Sequence, residues 1–332
     1  MRNKQLDIFL SQNRIPYDTD VDLKKRTWIH RGGMASYFIS PENTEQLQSL
    51  MSFIFFNNIN YLLIGCSSNL YIHNNTDIPV VVSTLMCNSY EIKEDVIECA
   101  CGTLVGKMAN HMINNGIKGF EYLTTLPGTV GAAIYNNSSV KAPQNSIANL
   151  LIDVDLLTTE GIKTIPVENL HFTFRSSDLK KHILRGVIIK ARLRKEFGNK
   201  ESLAQIARYN EEERNRILEG PAHNLGCTVN SPFYYGKMPL RYRVPYSAFS
   251  RLADLFIKDK QKKSQLKKEF LLQISGYSFL IPYVSDKLIL TFIWKDEMAD
   301  VYFEDYLRFM KDVYKTDQIE IEIINHPFYG QS

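Results

Sequence analysis

The glycine-rich stretch at residues 116–137, GIKGFEYLTTLPGTVGAAIYNN, places the strongest constraint on the fold of this chain. Its glycines, which interrupt an apolar run, are Gly116, Gly119, Gly128 and Gly131. A glycine that faces a ligand has no Cβ, so backbone N–H groups can approach phosphate oxygens. The spacing matches neither G-x-G-x-x-G nor G-x-x-x-x-G-K-[ST], which excludes the common dinucleotide and P-loop motifs. We interpret the stretch as a ligand-binding loop; the alternative is a tight turn.

Bulk properties exclude several classes of protein. A chain of 332 residues can form two or three domains, and its net charge of +3 is too small to indicate a nucleic-acid partner. The basic segment 258–268 is interpreted as a solvated helix face. The five cysteines lack metal-ligand spacing, which favours a reducing cytoplasm and predicts no metal site. The chain starts with polar residues, which argues against a signal peptide, and its apolar runs are far shorter than the ~20 residues of a membrane span, so we expect a soluble protein without a membrane partner.

The stretch 116–137 resembles the flavin-binding segment of the UDP-N-acetylenolpyruvoylglucosamine reductases (the MurB family), whose pattern is G-I-x-G-x-E-x-L-x-x-I-P-G-T-V-G-G-A. The matching positions are Gly116, Ile117, Gly119, Glu121, Leu123, Pro127, Gly128, Thr129, Val130, Gly131 and Ala133. Residues 65–70 resemble the family's G-G-G-S-N-L, with Cys66 and Ser67 in place of two glycines. Residues 172–177 resemble F-x-Y-R-x-S. The resemblance covers nearly the whole chain in the family's order.

The resemblance implies an α+β protein: a two-subdomain FAD-binding fold of the PCMH/MurB type plus a C-terminal α+β substrate domain. We predict a first FAD-binding subdomain at 1–78, to which 315–332 return, a second at 79–200, and the substrate domain at 201–314. Periodicity predicts helices over 41–57 (capped by Ser40), 103–115, 201–219, 258–272 and 300–314. It predicts strands at 61–64, 79–82, 96–100, 150–156, 162–167, 183–193, 288–294 and 318–324. The last helix is expected to bury Val301, Tyr302, Tyr306, Phe309 and Val313.

The resemblance also implies FAD as the cofactor and NADPH as the reductant. The predicted flavin-binding residues are Gly65, Cys66, Ser67, Ser68, Asn69, Leu70, Pro127, Gly128, Thr129, Val130, Gly131 and Asn137. Asn137 aligns with an asparagine of the family's N-A-G segment. A simple turn after a buried strand remains the alternative for residues 65–70.

Three residues are implied to be catalytic. Arg175 carries a permanent charge that can stabilise the negative charge developing beside a carboxylate during hydride addition. Cys227 stands where the family has a proton-donating serine, and a thiol with an ordinary pKa of about 8.5 can give up that proton. Glu322 matches the second glutamate of the family's L-E-x-E-V, and alternation places it on the same strand face as Glu320. A surface arginine, a small buried cysteine and a solvated strand face are the alternatives.

Charged and polar residues near Cys227 are predicted to bind a small-molecule nucleotide sugar. Arg214 and Arg216 lie upstream, and Asn230 and Ser231 replace a lysine and an asparagine of the family. The implied function is the NADPH-dependent reduction of UDP-N-acetylglucosamine enolpyruvate to UDP-N-acetylmuramate, for peptidoglycan synthesis, by a monomer. The alternatives are a divergent flavoprotein acting on another substrate such as a different sugar nucleotide, a flavin-binding protein without turnover, and a scaffold that has lost the cofactor.

Overall fold

The computed structural model describes residues 3–139, 145–220, 223–229 and 238–325. Asn230 and Ser231 lie outside the described residues. In this part of the chain the helices are α1 (Lys4–Gln12), α2 (Thr44–Phe56), α3 (Val105–Asn114), α4 (Val130–Tyr135), α5 (Lys200–Ile217), α6 (Leu240–Phe256), α7 (Lys260–Ile274) and α8 (Met298–Phe309). The strands are β1 (Tyr17–Asp22), β2 (Met34–Ile39), β3 (Leu62–Ile64), β4 (Leu70–Ile72), β5 (Asp77–Ser83), β6 (Tyr90–Ile92), β7 (Val96–Ala100), β8 (Leu151–Thr158), β9 (Gly161–Pro166), β10 (Val187–Arg194) and β11 (Glu322–Ile324).

The first sheet has the strand order β1-β2-β5-β3, in which β5 pairs parallel with both β2 and β3. The predicted boundary between residues 78 and 79 falls inside β5, which continues this sheet to Ser83. Helix α2 contributes to the hydrophobic core that residues of both sheets share, and it buries the side predicted from its apolar spacing. The helix starts later than predicted, because Asn43 rather than Ser40 caps it: the Asn43 side chain accepts a hydrogen bond from the Gln46 N–H.

The second sheet is antiparallel, with the order β6-β7-β10-β8-β9. Its hairpin β8–β9 turns where Thr158 pairs with Gly161, as the sequence predicts. Helix α3 lies on the same hydrophobic core and buries Met108 and Met112. The sheet therefore provides a rigid base for the glycine-rich stretch, which follows α3 in the chain.

A separate aromatic core holds the unit formed by α6, α7 and α8. The predicted strand 288–294 is absent; only an isolated bridge joins Val284 to Phe292. Its apolar residues instead fill this core, where Phe292 and Trp294 are fully buried. The predicted buried face of α8 is correct at Tyr306 and Phe309 but wrong at Val301, which is exposed, while Phe303 is buried instead. Burial in a core, rather than strand alternation, explains the apolar run.

The C-terminal segment returns to the first part of the chain. Strand β11 pairs parallel with β4, and the Glu322 N–H donates to the Asn69 carbonyl at 2.8 Å. The predicted strand 318–324 is shorter than expected, because only Ile319 bridges, to Val229, before the chain bends at Ile321. The result is an α+β protein, as predicted, in which β11 lies directly beside loop 65–70. Among the described residues, no helix has the length and apolar character that crossing a bilayer requires.

Candidate active site

A cavity of about 880 Å³ lies where the two sheets meet the C-terminal unit. Its volume lies within the range of roughly 300–1,000 Å³ that is typical of small-molecule sites. Both predicted loops line it, residues 65–70 and most of residues 124–133. Trp28, Arg175, Arg214 and Cys227 contribute further side chains to its wall.

The two loops contact each other, and this contact explains one of the glycines. A Cβ on Gly65 would lie 2.4 Å from Thr129 Oγ1, so no larger residue fits there. The Ser68 hydroxyl donates a hydrogen bond to the Pro127 carbonyl at 2.9 Å. Gly128 has a φ of +144°, and a Cβ there would meet only the Ser68 hydroxyl, at 3.7 Å. Gly65 is therefore required by loop packing, whereas Gly128 leaves the backbone open towards the cavity.

Cys66 and Ser67 replace two glycines of the G-G-G-S-N-L pattern that residues 65–70 resemble, and their environments show how the loop accommodates them. Ser67 adopts a left-handed φ of 53°, which is the conformation that glycine adopts at no steric cost. Its hydroxyl donates to the Cys66 carbonyl at 2.7 Å and accepts from the Trp28 N–H at 2.9 Å. Burial raises the pKa of the Cys66 thiol to about 11, so this thiol is neutral at ordinary pH. The loop keeps its shape without the glycines.

The N–H groups of this loop are free to bind a ligand. Within the described ranges, the backbone N–H groups of Cys66, Ser67, Ser68 and Asn69 donate to no protein acceptor, whereas the Leu70 N–H donates to the Ser67 carbonyl. Consecutive free N–H groups around a left-handed residue form a concave anion-binding site. The residues present therefore fit the diphosphate of a dinucleotide cofactor such as FAD.

Two of the predicted flavin-binding residues do not line the cavity. Val130 starts α4 and is completely buried in the hydrophobic core. Asn137 is buried, and its amide donates to the Thr173 carbonyl at 2.8 Å, so it holds the turn that carries Arg175. The other predicted flavin-binding residues all border the cavity; they are Gly65, Cys66, Ser67, Ser68, Asn69, Leu70, Pro127, Gly128, Thr129 and Gly131.

Arg175 and Cys227 lie together, but the glutamate beside them is Glu320. Arg175 sits at a left-handed φ of 54° in the turn closed between Thr173 and Ser176, and its guanidinium forms an ion pair with the Glu320 carboxylate. The Glu320 N–H donates to the Thr228 carbonyl at 2.9 Å, which fixes this glutamate next to the residue after Cys227. Three distant parts of the chain thus meet at one point of the cavity wall.

The electrostatics of this cluster keep the thiol protonated. The pKa of Cys227 is raised to about 12, first by burial and then by the nearby Glu320 charge, against the lowering effect of the Arg175 charge. Burial also raises the pKa of Glu320, against the lowering effects of Arg175 and Lys180. At neutral pH the Cys227 thiol therefore keeps its proton and can act only as a proton donor or as a neutral wall.

Glu322, predicted to be catalytic, lines the same cavity but contacts a different cation. Its Oε1 lies 2.7 Å from the Lys180 ammonium, which also donates to the Asn136 side chain at 2.7 Å. Glu320 is the carboxylate that the structure places beside Arg175, and the sequence analysis did not select it as a site residue. The signal was present, since Glu320 is the first glutamate of the same L-E-x-E-V-like motif, but spacing alone could not assign each carboxylate to its cation.

The two arginines predicted to bind substrate lie in different environments. Arg214 lines the cavity, is half-buried, and has its pKa lowered by burial. No carboxylate among the described residues forms an ion pair with it. Arg216 does not line the cavity; it pairs with Glu213 at 2.8 Å on the surface. Arg214 is therefore a free cation facing the cavity, and the prediction for Arg216 is wrong, because i,i+3 pairing turns it outward.

Comparison with known proteins gives consistent results. The sequence model of a family described as an FAD binding domain matches residues 35–164. The UDP-N-acetylenolpyruvoylglucosamine reductase of Prochlorococcus marinus is 29% identical over 231 residues, which are 68% of this chain and 77% of that protein. The corresponding reductase of Caldicellulosiruptor saccharolyticus is 27% identical over 213 residues, 64% of this chain and 67% of that protein.

The fold is similar to a solved structure over almost its full length. The crystal structure of UDP-N-acetylenolpyruvylglucosamine reductase (MurB) from Thermus caldophilus superimposes with a TM-score of 0.64 at 17% identity, covering 93% of this chain and 98% of that one. This likeness confirms the predicted fold class. The matching FAD-binding segment and the curated relatives likewise make the chain similar to the UDP-N-acetylenolpyruvoylglucosamine reductases, the MurB family.

Proposed function

We propose that the protein is an FAD-containing reductase that uses NADPH to convert UDP-N-acetylglucosamine enolpyruvate into UDP-N-acetylmuramate. The observation that carries the proposal is the meeting of Arg175, Cys227 and Glu320 on the wall of a cavity that also presents free loop N–H groups. The substrate comes from the relatives, both of which are named as reductases of this enolpyruvyl sugar nucleotide.

The loops around residues 65–70 and 127–129 would hold the cofactor. A bound FAD would supply the chemistry of hydride transfer between a reduced nicotinamide and the substrate. The free N–H groups of Cys66 to Asn69 suit diphosphate oxygens, and the open backbone at Gly128 allows close approach. Ser67 supports this loop through its contacts with Trp28 rather than through a contact of its hydroxyl with the cofactor.

Arg175 and Cys227 have different roles in the reduction of the enolpyruvyl group. Hydride addition leaves negative charge beside the substrate carboxylate, and the Arg175 guanidinium can stabilise it. The ion pair with Glu320 orients this guanidinium before substrate binds. Cys227 Sγ then gives its proton to the substrate carbon, and the thiolate that forms is stabilised by Arg175. With a pKa of about 12, Cys227 is a weaker acid than the free thiol assumed from the sequence.

Arg214 is proposed to bind the diphosphate of the sugar nucleotide. A half-buried guanidinium without an acidic partner among the described residues carries a desolvation cost that an anionic ligand would relieve. Its position on the cavity wall leaves it accessible to such a ligand.

The test is to separate the two half-reactions. The purified protein should absorb near ~450 nm through bound flavin. Anaerobic NADPH should bleach this band, and the enolpyruvyl sugar nucleotide should restore it. Cys227→Ala and Glu320→Gln should slow only the second step, by about 10²-fold or more, and Glu322→Gln is the matched control, with a smaller effect because its partner is Lys180.

Each alternative gives a different outcome. A colourless protein that cannot be loaded with FAD would indicate a scaffold without cofactor. Full flavin occupancy with NADPH reduction, but no reoxidation by this substrate, would leave a divergent enzyme with another substrate. Occupancy without reduction by NADPH would leave a flavin-binding protein without turnover.

A further inference from the structure

Helix α6 packs on α7 with one side and leaves the other side exposed. Across its 17 residues the structure buries one side chain, Ala253. The apolar side chains that are more than half exposed are Leu240, Val244, Leu252, Leu255 and Phe256. At 3.6 residues per turn, positions 240, 244, 251 and 255 follow one stripe, with 252 and 256 next to it. The helix therefore presents a continuous apolar side to solvent.

The same side is strongly basic. The exposed cations on α6, in the turn after it and in the first turn of α7 are Arg241, Arg243, Arg251, Lys258, Lys260 and Lys262. Within the ranges that the structure describes, none of these six has a carboxylate ion-pair partner. The acidic residue of α6, Asp254, is already paired with Lys263 and Lys267 of α7. Positive charge on this side is thus uncompensated.

The combination of apolar and basic residues indicates which class of partner this side of α6 binds. Arg251 lies inside the apolar stripe, and in a dry protein interface its charge would be buried at high cost. At a bilayer surface an arginine extends to the lipid phosphates while the apolar side chains enter the acyl boundary. A second copy of this chain would bring like charges together. An anionic lipid surface satisfies both features of the helix.

We propose that the exposed side of α6 binds the surface of an anionic phospholipid bilayer. This proposal departs from the expectation of no membrane partner, which rested on the absence of a spanning segment, and interfacial binding requires no such segment. The binding is peripheral and reversible, since it depends on one helix and its cations. It leaves the catalytic cavity untouched, because no residue of α6 lines that cavity.

Flotation of the full chain with vesicles tests this proposal. The protein should float with vesicles of phosphatidylcholine and phosphatidylglycerol in equal parts, remain unbound with phosphatidylcholine alone, and be released by about 0.5 M NaCl, which screens surface charge. The triple substitution Arg241→Gln/Arg243→Gln/Arg251→Gln should weaken partitioning on the order of 100-fold, from roughly fivefold per cation. Leu255→Ser/Phe256→Ser should also weaken it.

A matched control removes the same charge elsewhere. Lys4→Gln/Arg14→Gln/Lys25→Gln alters three exposed cations far from α6 in the sequence and should float like the wild type. The proposal would be overturned if this control variant lost vesicle binding to the same extent as the α6 variant. It would also be overturned if the wild type bound neutral vesicles as well as anionic ones. A dimer in sedimentation analysis that Leu255→Ser/Phe256→Ser dissociates would overturn it too, since the apolar side would then belong to a second copy. Circular dichroism of every variant confirms that a lost interaction does not reflect unfolding.

Discussion

The electrostatic coupling within the catalytic cluster makes a prediction about the reactivity of Cys227. Alkylation requires the thiolate, and burial beside Glu320 raises the pKa of Cys227 to about 12. Against an ordinary thiol pKa of about 8.5, the thiolate fraction at pH 8.5 falls on the order of 1,000-fold. Because a thiolate of higher pKa is also the stronger nucleophile, Cys227 should react with iodoacetamide on the order of 10- to 100-fold more slowly than a free cysteine. Mass spectrometry of the modified peptide in a Cys66→Ala background measures this rate without competition from Cys66, another thiol that lines the cavity.

Two substitutions should change this rate in opposite directions. Glu320→Gln removes a charge that raises the pKa of Cys227, so alkylation should accelerate. Arg175→Met removes the charge that lowers this pKa, so alkylation should slow. Glu322→Gln, whose carboxylate pairs with Lys180, should have little effect.

Opposite changes in the alkylation rate of the two variants distinguish electrostatic control of the thiol from easier access of the reagent to the cavity. If both substitutions accelerate alkylation, they have only opened the cavity, and the proposed coupling is wrong. The same holds if Glu320→Gln leaves the rate unchanged while Glu322→Gln raises it, because the carboxylate beside the thiol would then be Glu322. Repeating the measurement across pH shows whether the apparent pKa itself moves, as the coupling requires.

Three further predictions concern the loops, the arginine and the second sheet. Gly65→Ala puts a Cβ 2.4 Å from the neighbouring loop, so it should cost about 1–3 kcal/mol of stability and lower FAD content, whereas Gly220→Ala, with no atom within 4 Å, should do neither in thermal melts and absorbance spectra. Arg175→Lys should slow flavin reoxidation by about 10²-fold at unchanged flavin content, measured by stopped flow, because a point charge replaces a planar fork. Arg192 lowers the pKa of Asp155, a stabilisation that is present above the unfolded pKa and is lost as pH falls through the folded pKa. Arg192→Met should therefore reduce the free energy of unfolding by about 1 kcal/mol at pH 7 and by much less below about pH 4, as urea titrations would show; an equal deficit at both pH values would argue for lost packing instead.

Local sequence rules predicted the elements whose residues all obey one pattern. Helix α2 and hairpin β8–β9 carry regular apolar spacing and a clear turn, and both form where expected. The rules failed where tertiary contacts determined the conformation of a segment or its buried side. The apolar run 288–294 has the composition of a strand, but it is buried inside an aromatic core without strand partners. Helix α8 begins at Met298, so its buried side differs from the predicted one by the exchange of Val301 for Phe303.

The candidate site also has some features that sequence patterns predicted and others that depend on tertiary contacts. Family patterns located Arg175 and Cys227, because each lies in a motif with fixed spacing. They could not separate Glu320 from Glu322, because the assignment depends on which cation each carboxylate meets after the bend at Ile321. The pKa of Cys227 was equally inaccessible, since it depends on burial and on neighbours that are distant in the chain.

The pairing of β11 with β4 has a consequence for how the enzyme is made. Segment 319–324 follows every other described element, yet it fixes loop 65–70, bridges to Val229 and supplies Glu320. A nascent polypeptide in which residues 319–324 are still inside the ribosome therefore lacks these contacts at the flavin site. We expect stable capture of FAD to begin only after translation has released this segment.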